Sequence, residues 1–151
     1  MPLDHAWIAG RIPHQGSMCL LDRVLDWDPA SIRCAAVSHR DPANPLRAHG
    51  RLAAACGIEY AAQAMAVHGA LCAADADAPA PRMGMLTSVR GVDLATPRLD
   101  DIPGELQVRA ERVSGDRNAI VYAFTVSAEA RVLVAGRATV ILDVDAPADT
   151  Q

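Results

Sequence analysis

Apolar positions in this chain follow two different periods, and the switch between them outlines the fold. Glu105 to Ser114 (ELQVRAERVS) alternates with period two, placing Leu106, Val108 and Ala110, with Arg112 in the same register, on one face. Ala119 to Ala128 (AIVYAFTVSA) is apolar enough for a central strand, and Arg131 to Val144 (RVLVAGRATVILDV) closes the sheet, with Gly136 expected at a bulge. Gly84 to Leu94 carries Met85, Leu86, Val89 and Val92 and reads as a further strand. Upstream, Cys19 to Trp27 (CLLDRVLDW) and Ile32 to His39 (IRCAAVSH) read as a hairpin across a turn at Asp28, Pro29 and Ser31. Arg51 to Asp75 (RLAAACGIEYAAQAMAVHGALCAAD) is the one long helical stretch. It is built almost wholly of small apolar residues, interrupted by Glu59 and Gln63 one turn apart on a single face.

The segments between are turn chemistry. Arg40 to Gly50 is a loop with two prolines, and Asp75 to Arg82 is a Pro-rich linker that ends the helix. Pro97 to Gly104 is a connection, and Gly115 to Asn118 and Glu129-Ala130 are turns. At the front, Asp4 to Pro13 is a short helix or irregular cover with Trp7 and Ile8 packing inward, followed by a turn at Pro13 and Gly16. Runs of strands on either side of one helix indicate an α+β architecture. A helix apolar nearly all round must be enclosed by a curled sheet or covered by a second subunit. The expected fold is therefore a central helix wrapped by a strongly curved antiparallel sheet. It forms one domain over 1–145, with a tail at 146–151 expected to be disordered.

Composition narrows the function classes. With 14 basic and 18 acidic residues the formal net charge is −4, which argues against nucleic acid as a partner. All the basic residues are arginine, and local groups of them could still bind an anion. The four cysteines, Cys19, Cys34, Cys56 and Cys72, show no metal-binding spacing. They read as small buried hydrophobes in a reduced cytoplasm, and no metal or cofactor is expected. No secretory signal and no membrane span is visible, so a cytoplasmic location away from membranes is the expectation.

A carboxylate inside an alanine-rich helix needs a reason to be there. Glu59 is the candidate reacting group, and Gln63 its neighbour. Cys56, Gly57 and Ile58 lie near the helix start, where backbone N–H groups favour developing negative charge. Among the histidines, His39 beside Arg40 reads as solvated and His68 falls off the Gln63 face. His5 lies near the terminus and is uninformative.

Two segments carry a resemblance. Ile12-Pro13-His14 followed by Leu20-Leu21-Asp22-Arg23-Val24-Leu25, and Glu59-Tyr60-Ala61-Ala62-Gln63-Ala64, resemble the opening and central-helix motifs of the β-hydroxyacyl-ACP dehydratases. The wording IPHQGSMCLLDRVLDWD with GIEYAAQAMAVHG is similar to a divergent bacterial branch, the predicted 3-hydroxyacyl-ACP dehydratases of aryl polyene (ApeP-like) clusters. The resemblance implies the hotdog fold and dehydration of a 3-hydroxyacyl-ACP to a 2-enoyl-ACP. It implies Glu59 as acid, His49 as base with His14 in reserve, and Gln63 orienting Glu59. It also implies a thioester near Gly57 and Ile58, and a homodimer or a heterodimer with a related hotdog subunit. The carrier would be an acidic acyl carrier protein, for which Arg40, Arg47 and Arg51 are the expected contacts. One departure stands out: the family's GHFPG segment is absent, and His49 precedes Glu59 by ten positions, a shorter spacing than the family's. Two alternatives remain open on the residues, a hotdog acyl-thioesterase and a non-catalytic partner of a dehydratase complex.

Overall fold

The computed structural model describes residues 3–12, 16–77, 84–116 and 118–142. The expected tail at 146–151 lies outside them. A short helix α1 (His5–Ala9) leads into β1 (Arg23–Asp28), β2 (Ser31–Ala36), the long helix α2 (Gly57–Asp75), and β3 (Gly84–Leu94), β4 (Leu106–Gly115), β5 (Ala119–Ala128) and β6 (Arg131–Leu142). The strands form one six-stranded sheet in the order β1-β2-β4-β5-β6-β3, and every pairing is antiparallel. This is the α+β arrangement the patterning implied, with one helix laid against one sheet.

Alternation sets which face is the core. In β5 the even positions Ile120, Tyr122, Phe124, Val126 and Ala128 are buried and the odd ones half-exposed. In β4, Val108 and Ala110, paired with Val126 and Phe124, are buried with them, as is Leu106, while Arg112, paired with Tyr122, is exposed. Onto this face α2 lays Tyr60, Ala61, Ala64, Met65, Val67, His68 and Leu71. Alanine lets the helix approach closely. At Gly57 even one methyl group would stand 3.1 Å from the Val134 side chain and 3.5 Å from that of Val126.

Three boundaries and the position of one bulge differ from the sequence expectation. The helix begins at Gly57, after a 3₁₀ turn at Ala54–Cys56, and not at Arg51. Residues 51–53 are taken instead by pairing: Arg51 with Ala48, Ala53 with Arg98, and Leu52 with Leu99 and the Asp100 carboxylate. First-strand pairing begins at Arg23, not Cys19, because side chains claim both backbone groups of Leu20. Second-strand pairing stops at Ala36, and a 3₁₀ turn at Ser38–Arg40 follows. Gly136 pairs regularly with Phe124. The bulge sits opposite it on β3, at Gly91 and Val92, where Gly91 supplies a φ of +60°.

Two surfaces are left uncovered by this fold. On α2, positions 59, 62, 66, 69 and 73 form a half-buried stripe at helical spacing. β3 is an edge strand on which Leu86, Val92 and Leu94 are exposed. No helix among the described residues is long and apolar enough to cross a membrane.

Candidate active site

Glu59 lies in the first turn of α2, half-buried, and accepts a hydrogen bond from Gln63 Nε2 at 3.1 Å. The i, i+4 spacing makes this contact, as expected for side chains on one helix face. Gln63 is fully buried, and both ends of its amide are used. Its Oε1 accepts the Leu20 N–H at 2.9 Å, and its Nε2 donates to the Met18 carbonyl at 2.7 Å as well as to Glu59. A buried amide satisfied in this way is held in one orientation.

The residue after Glu59, Tyr60, lies about 100° further round the helix and is also fully buried. Its hydroxyl lies 2.7 Å from Ser38 Oγ and 3.1 Å from Asn44 Nδ2. Ser38 donates to the Leu20 carbonyl at 2.8 Å, and Asn44 bonds the Ser38 carbonyl and the Leu46 N–H. Burial pushes the Tyr60 phenol up, so it stays protonated and able to donate. Sequence reasoning passed over Ser38, Asn44 and Tyr60. The available signal was a lone aromatic hydroxyl beside Glu59 in a helix otherwise made of small residues.

The helix start is not a bare N-terminus. In the 3₁₀ turn the Cys56 N–H bonds the Ala53 carbonyl, and the Gly57 N–H bonds those of Ala54 and Ala55. Gly57 therefore packs against the sheet while its N–H is already used, and Ile58 is half-buried beside it. A shallow, mainly apolar groove of about 400 Å³ opens at this end, lined by Ala53, Ala54, Ala55 and the run Leu94 to Pro97. Ala55 precedes Glu59 by four positions, and Glu59 is not among the residues that line the groove.

The histidines separate sharply. His49 is exposed at the tip of a tight turn in which Ala48 and Arg51 pair, with φ values of +52° at His49 and +75° at Gly50. No hydrogen bond or ion pair joins it to Glu59 among the described residues. His14 lies outside the described residues. His39 is fully buried, contrary to the expectation that it would be solvated. Its Nε2 donates to the Ile102 carbonyl at 3.0 Å, and burial holds its pKa below the ordinary histidine range. His68 is buried deeper along the helix and bonds Tyr122 and the Asp28 carbonyl.

Of the three arginines expected at a carrier surface, Arg40 and Arg51 are exposed. Arg47 is half-buried and bonds the Gly50 and His39 carbonyls, bracing the loop from within. All four cysteines are free thiols; Cys19 and Cys34 are buried, and burial pushes the Cys34 thiol up to about 12. Among the described residues no group of His, Cys, Asp and Glu is arranged to hold a metal ion.

Comparison with known proteins adds to this geometry. A family model described as ApeP dehydratase (ApeP-like) matches residues 7–150. The fold is similar to a structure of the dehydratase heterocomplex ApeI:P from Xenorhabdus doucetiae, at 23% identity and a TM-score of 0.81, covering 94% of this chain and 91% of that one. It is also similar to a thioesterase from Haemophilus influenzae, at 15% identity and a TM-score of 0.57, covering 80% and 76%. A mutant thioesterase from Pseudomonas aeruginosa aligns at 15% identity and a TM-score of 0.58, covering 80% and 79%. These are hotdog folds, and so is this chain. No curated protein sequence matches it.

Proposed function

The chain belongs to the ApeP-like dehydratase family, and from that premise we propose that it dehydrates a 3-hydroxyacyl thioester carried on an acyl carrier protein to the 2-enoyl thioester. The observation that carries this reading is the half-buried Glu59 carboxyl in the first turn of α2, held by the fully buried Gln63 amide. Dehydration removes a proton from C2 and protonates the departing 3-hydroxyl. Glu59 donates the proton to the hydroxyl, which leaves as water, and a neutral histidine accepts the C2 proton. The groove lined by Ala53, Ala54 and Ala55 takes apolar parts of the substrate.

Of the two candidate bases, His14 has the better claim. Met18 and Leu20, a few residues after it, bond the amide that holds Glu59, whereas His49 sits exposed on a turn. Arg40 and Arg51, both exposed, are the contacts proposed for the acidic carrier, while Arg47 shapes the loop between them. A related hotdog subunit completes the assembly. The half-covered helix stripe and the apolar edge of β3 support that reading, and so does the heterocomplex formed by the Xenorhabdus protein.

One observation favours a second reading, a partner subunit without its own turnover: the similar structure from Xenorhabdus doucetiae is a dehydratase heterocomplex. Incubating the protein with a 3-hydroxyacyl carrier protein, alone and with a related hotdog subunit, and following intact mass separates the readings. Loss of one water by the protein alone supports dehydration. Loss of the whole acyl group means thioester hydrolysis, and turnover only with the second subunit, unaffected by Glu59→Gln, means a partner role.

A further inference from the structure

We propose that Tyr60, acting through Ser38, is a positioning residue for the Glu59 carboxylate, and that Asn44 fixes the direction in which it acts. The inference rests on Glu59 being the reacting carboxyl. It follows from where each hydrogen must sit. A carbonyl only accepts, so the single hydroxyl hydrogen of Ser38 is committed to the Leu20 carbonyl at 2.8 Å. Ser38 can therefore only accept across its 2.7 Å contact with Tyr60, which makes the phenol the donor. The phenol oxygen in turn accepts from Asn44 Nδ2 at 3.1 Å. The Asn44 amide cannot be reversed, because its Oδ1 accepts the Leu46 N–H and its Nδ2 also donates to the Ser38 carbonyl.

Leu20 is thereby gripped from both sides, its carbonyl by Ser38 and its N–H by Gln63. The second grip matters for chemistry. An amide side chain is nearly symmetric in shape, and only its partners decide which end faces Glu59. The Leu20 N–H demands the oxygen and the Met18 carbonyl demands the nitrogen, so the NH₂ group faces the carboxylate. Were Leu20 to move, the amide could turn and present its oxygen, which repels a carboxylate and offers it no hydrogen. Tyr60 is well placed to prevent this. It follows Glu59 directly on a rigid helical turn, about 100° further round the helix, and is completely buried. Every donor from Asn44 to Gln63 points the same way, ending at Glu59 Oε2.

Tyr60→Phe tests this, because it keeps the ring and removes only the hydroxyl. Hydrogen exchange of the Leu20 amide and of the Gln63 side-chain amide, read by NMR, should accelerate about tenfold, as for one lost buried hydrogen bond. Turnover of a 3-hydroxyacyl carrier protein should show kcat lower by about tenfold with KM within about twofold, since a misplaced reacting group costs rate more than binding. Ser38→Ala should behave alike, and Ser38→Thr, which restores the hydroxyl, should recover both. Unchanged exchange at Leu20 and Gln63 in Tyr60→Phe overturns the proposal. So does a fall in kcat that merely tracks the folded fraction. Full activity in Glu59→Gln would instead remove the reading beneath it, while the exchange measurement would still decide whether the grip on Gln63 exists.

Discussion

The two ends of α2 carry two buried polar clusters of similar composition and opposite design. Toward the C-terminal half, His68 is 1% exposed and both its nitrogens are satisfied. Nε2 donates to the Asp28 carbonyl at 2.8 Å, which leaves Nδ1 to accept from the Tyr122 hydroxyl, also at 2.8 Å. The two rings meet edge-on at 5.7 Å. Both bonds end on the sheet, at a buried hydroxyl and at a backbone carbonyl of β1, and neither on a titratable side chain facing outward. At the N-terminal end, by contrast, the bonds from Asn44, Tyr60, Ser38 and Gln63 run through Leu20 to a carboxylate that is only half-buried. A closed cluster of this kind fixes how helix and sheet dock. A cluster whose last member faces outward prepares a group to meet something else.

Exchange of single side chains should pull the two ends apart. Glu59→Gln is expected to lower kcat by two to four orders of magnitude, the range for a lost general acid, with the unfolding midpoint nearly unchanged. Intact-mass turnover and urea unfolding check both halves of that statement; full turnover in the variant would put Glu59 in the structural class. His68→Leu should do the reverse. It leaves the Tyr122 hydroxyl and the Asp28 carbonyl without partners and should cost about 3 kcal/mol of stability, while kcat per folded molecule stays within about twofold. A large fall in kcat at preserved stability would mean that the far cluster is not merely structural.

Gln63→Leu is the variant that should blur the contrast. It removes a positioning group and strands the Leu20 N–H and the Met18 carbonyl, so stability should drop by about 2 kcal/mol and kcat with it. If only kcat falls, water has entered to satisfy the backbone, and the amide serves the carboxylate alone. Tyr122→Phe is gentler, at about 1 kcal/mol, because the ring contact survives and only the bond to His68 Nδ1 is lost. Urea unfolding of the two variants side by side measures the difference.

The fold was largely legible because the sheet is regular. The period-two pattern in Leu106, Val108 and Ala110 and the apolar run from Ala119 to Ala128 translate directly into β4 and β5. Errors gathered where long-range partners override local preference. Arg51 to Ala53 look helical in an alanine-rich run, but Arg51 pairs with Ala48, and Leu52 and Ala53 are captured by residues 98–100. Cys19 to Asp22 look like a strand, yet the Leu20 backbone is spent on side chains 18 and 43 positions away. The Glu59–Gln63 pair was readable because i, i+4 geometry is local. The network behind it was not, since Ser38, Asn44 and Tyr60 come from three segments with no common period. His39 was misread for the same reason: nothing near it in sequence announces the Ile102 carbonyl that lets it be buried.

The smallest effect expected is one of pH, and it probes the closed side of the comparison. His39 and His68 both have pKa values lowered from the ordinary 6.5, chiefly because burial penalises the charged ring. Well above pH 6.5 both are neutral whether the chain is folded or not, and they contribute no pH dependence. As pH falls below 6.5 the unfolded chain takes up protons that the folded chain refuses, so stability declines until the folded-state pKa values are passed. Carboxylates act in another window. Asp26, Asp100, Asp116 and Glu105 are lowered from ordinary values of 3.8 and 4.5, and their contribution is lost only as pH falls below that range. Between about pH 6.5 and 5 the slope therefore belongs to buried histidine. Urea midpoints measured across that interval should decline in the parent protein and decline less in His68→Gln, whose amide can still bond Tyr122 and Asp28 without titrating. An equal decline in both would mean that His68 takes up its proton without leaving the cluster, and that the closed end of the helix is as permissive as the open one.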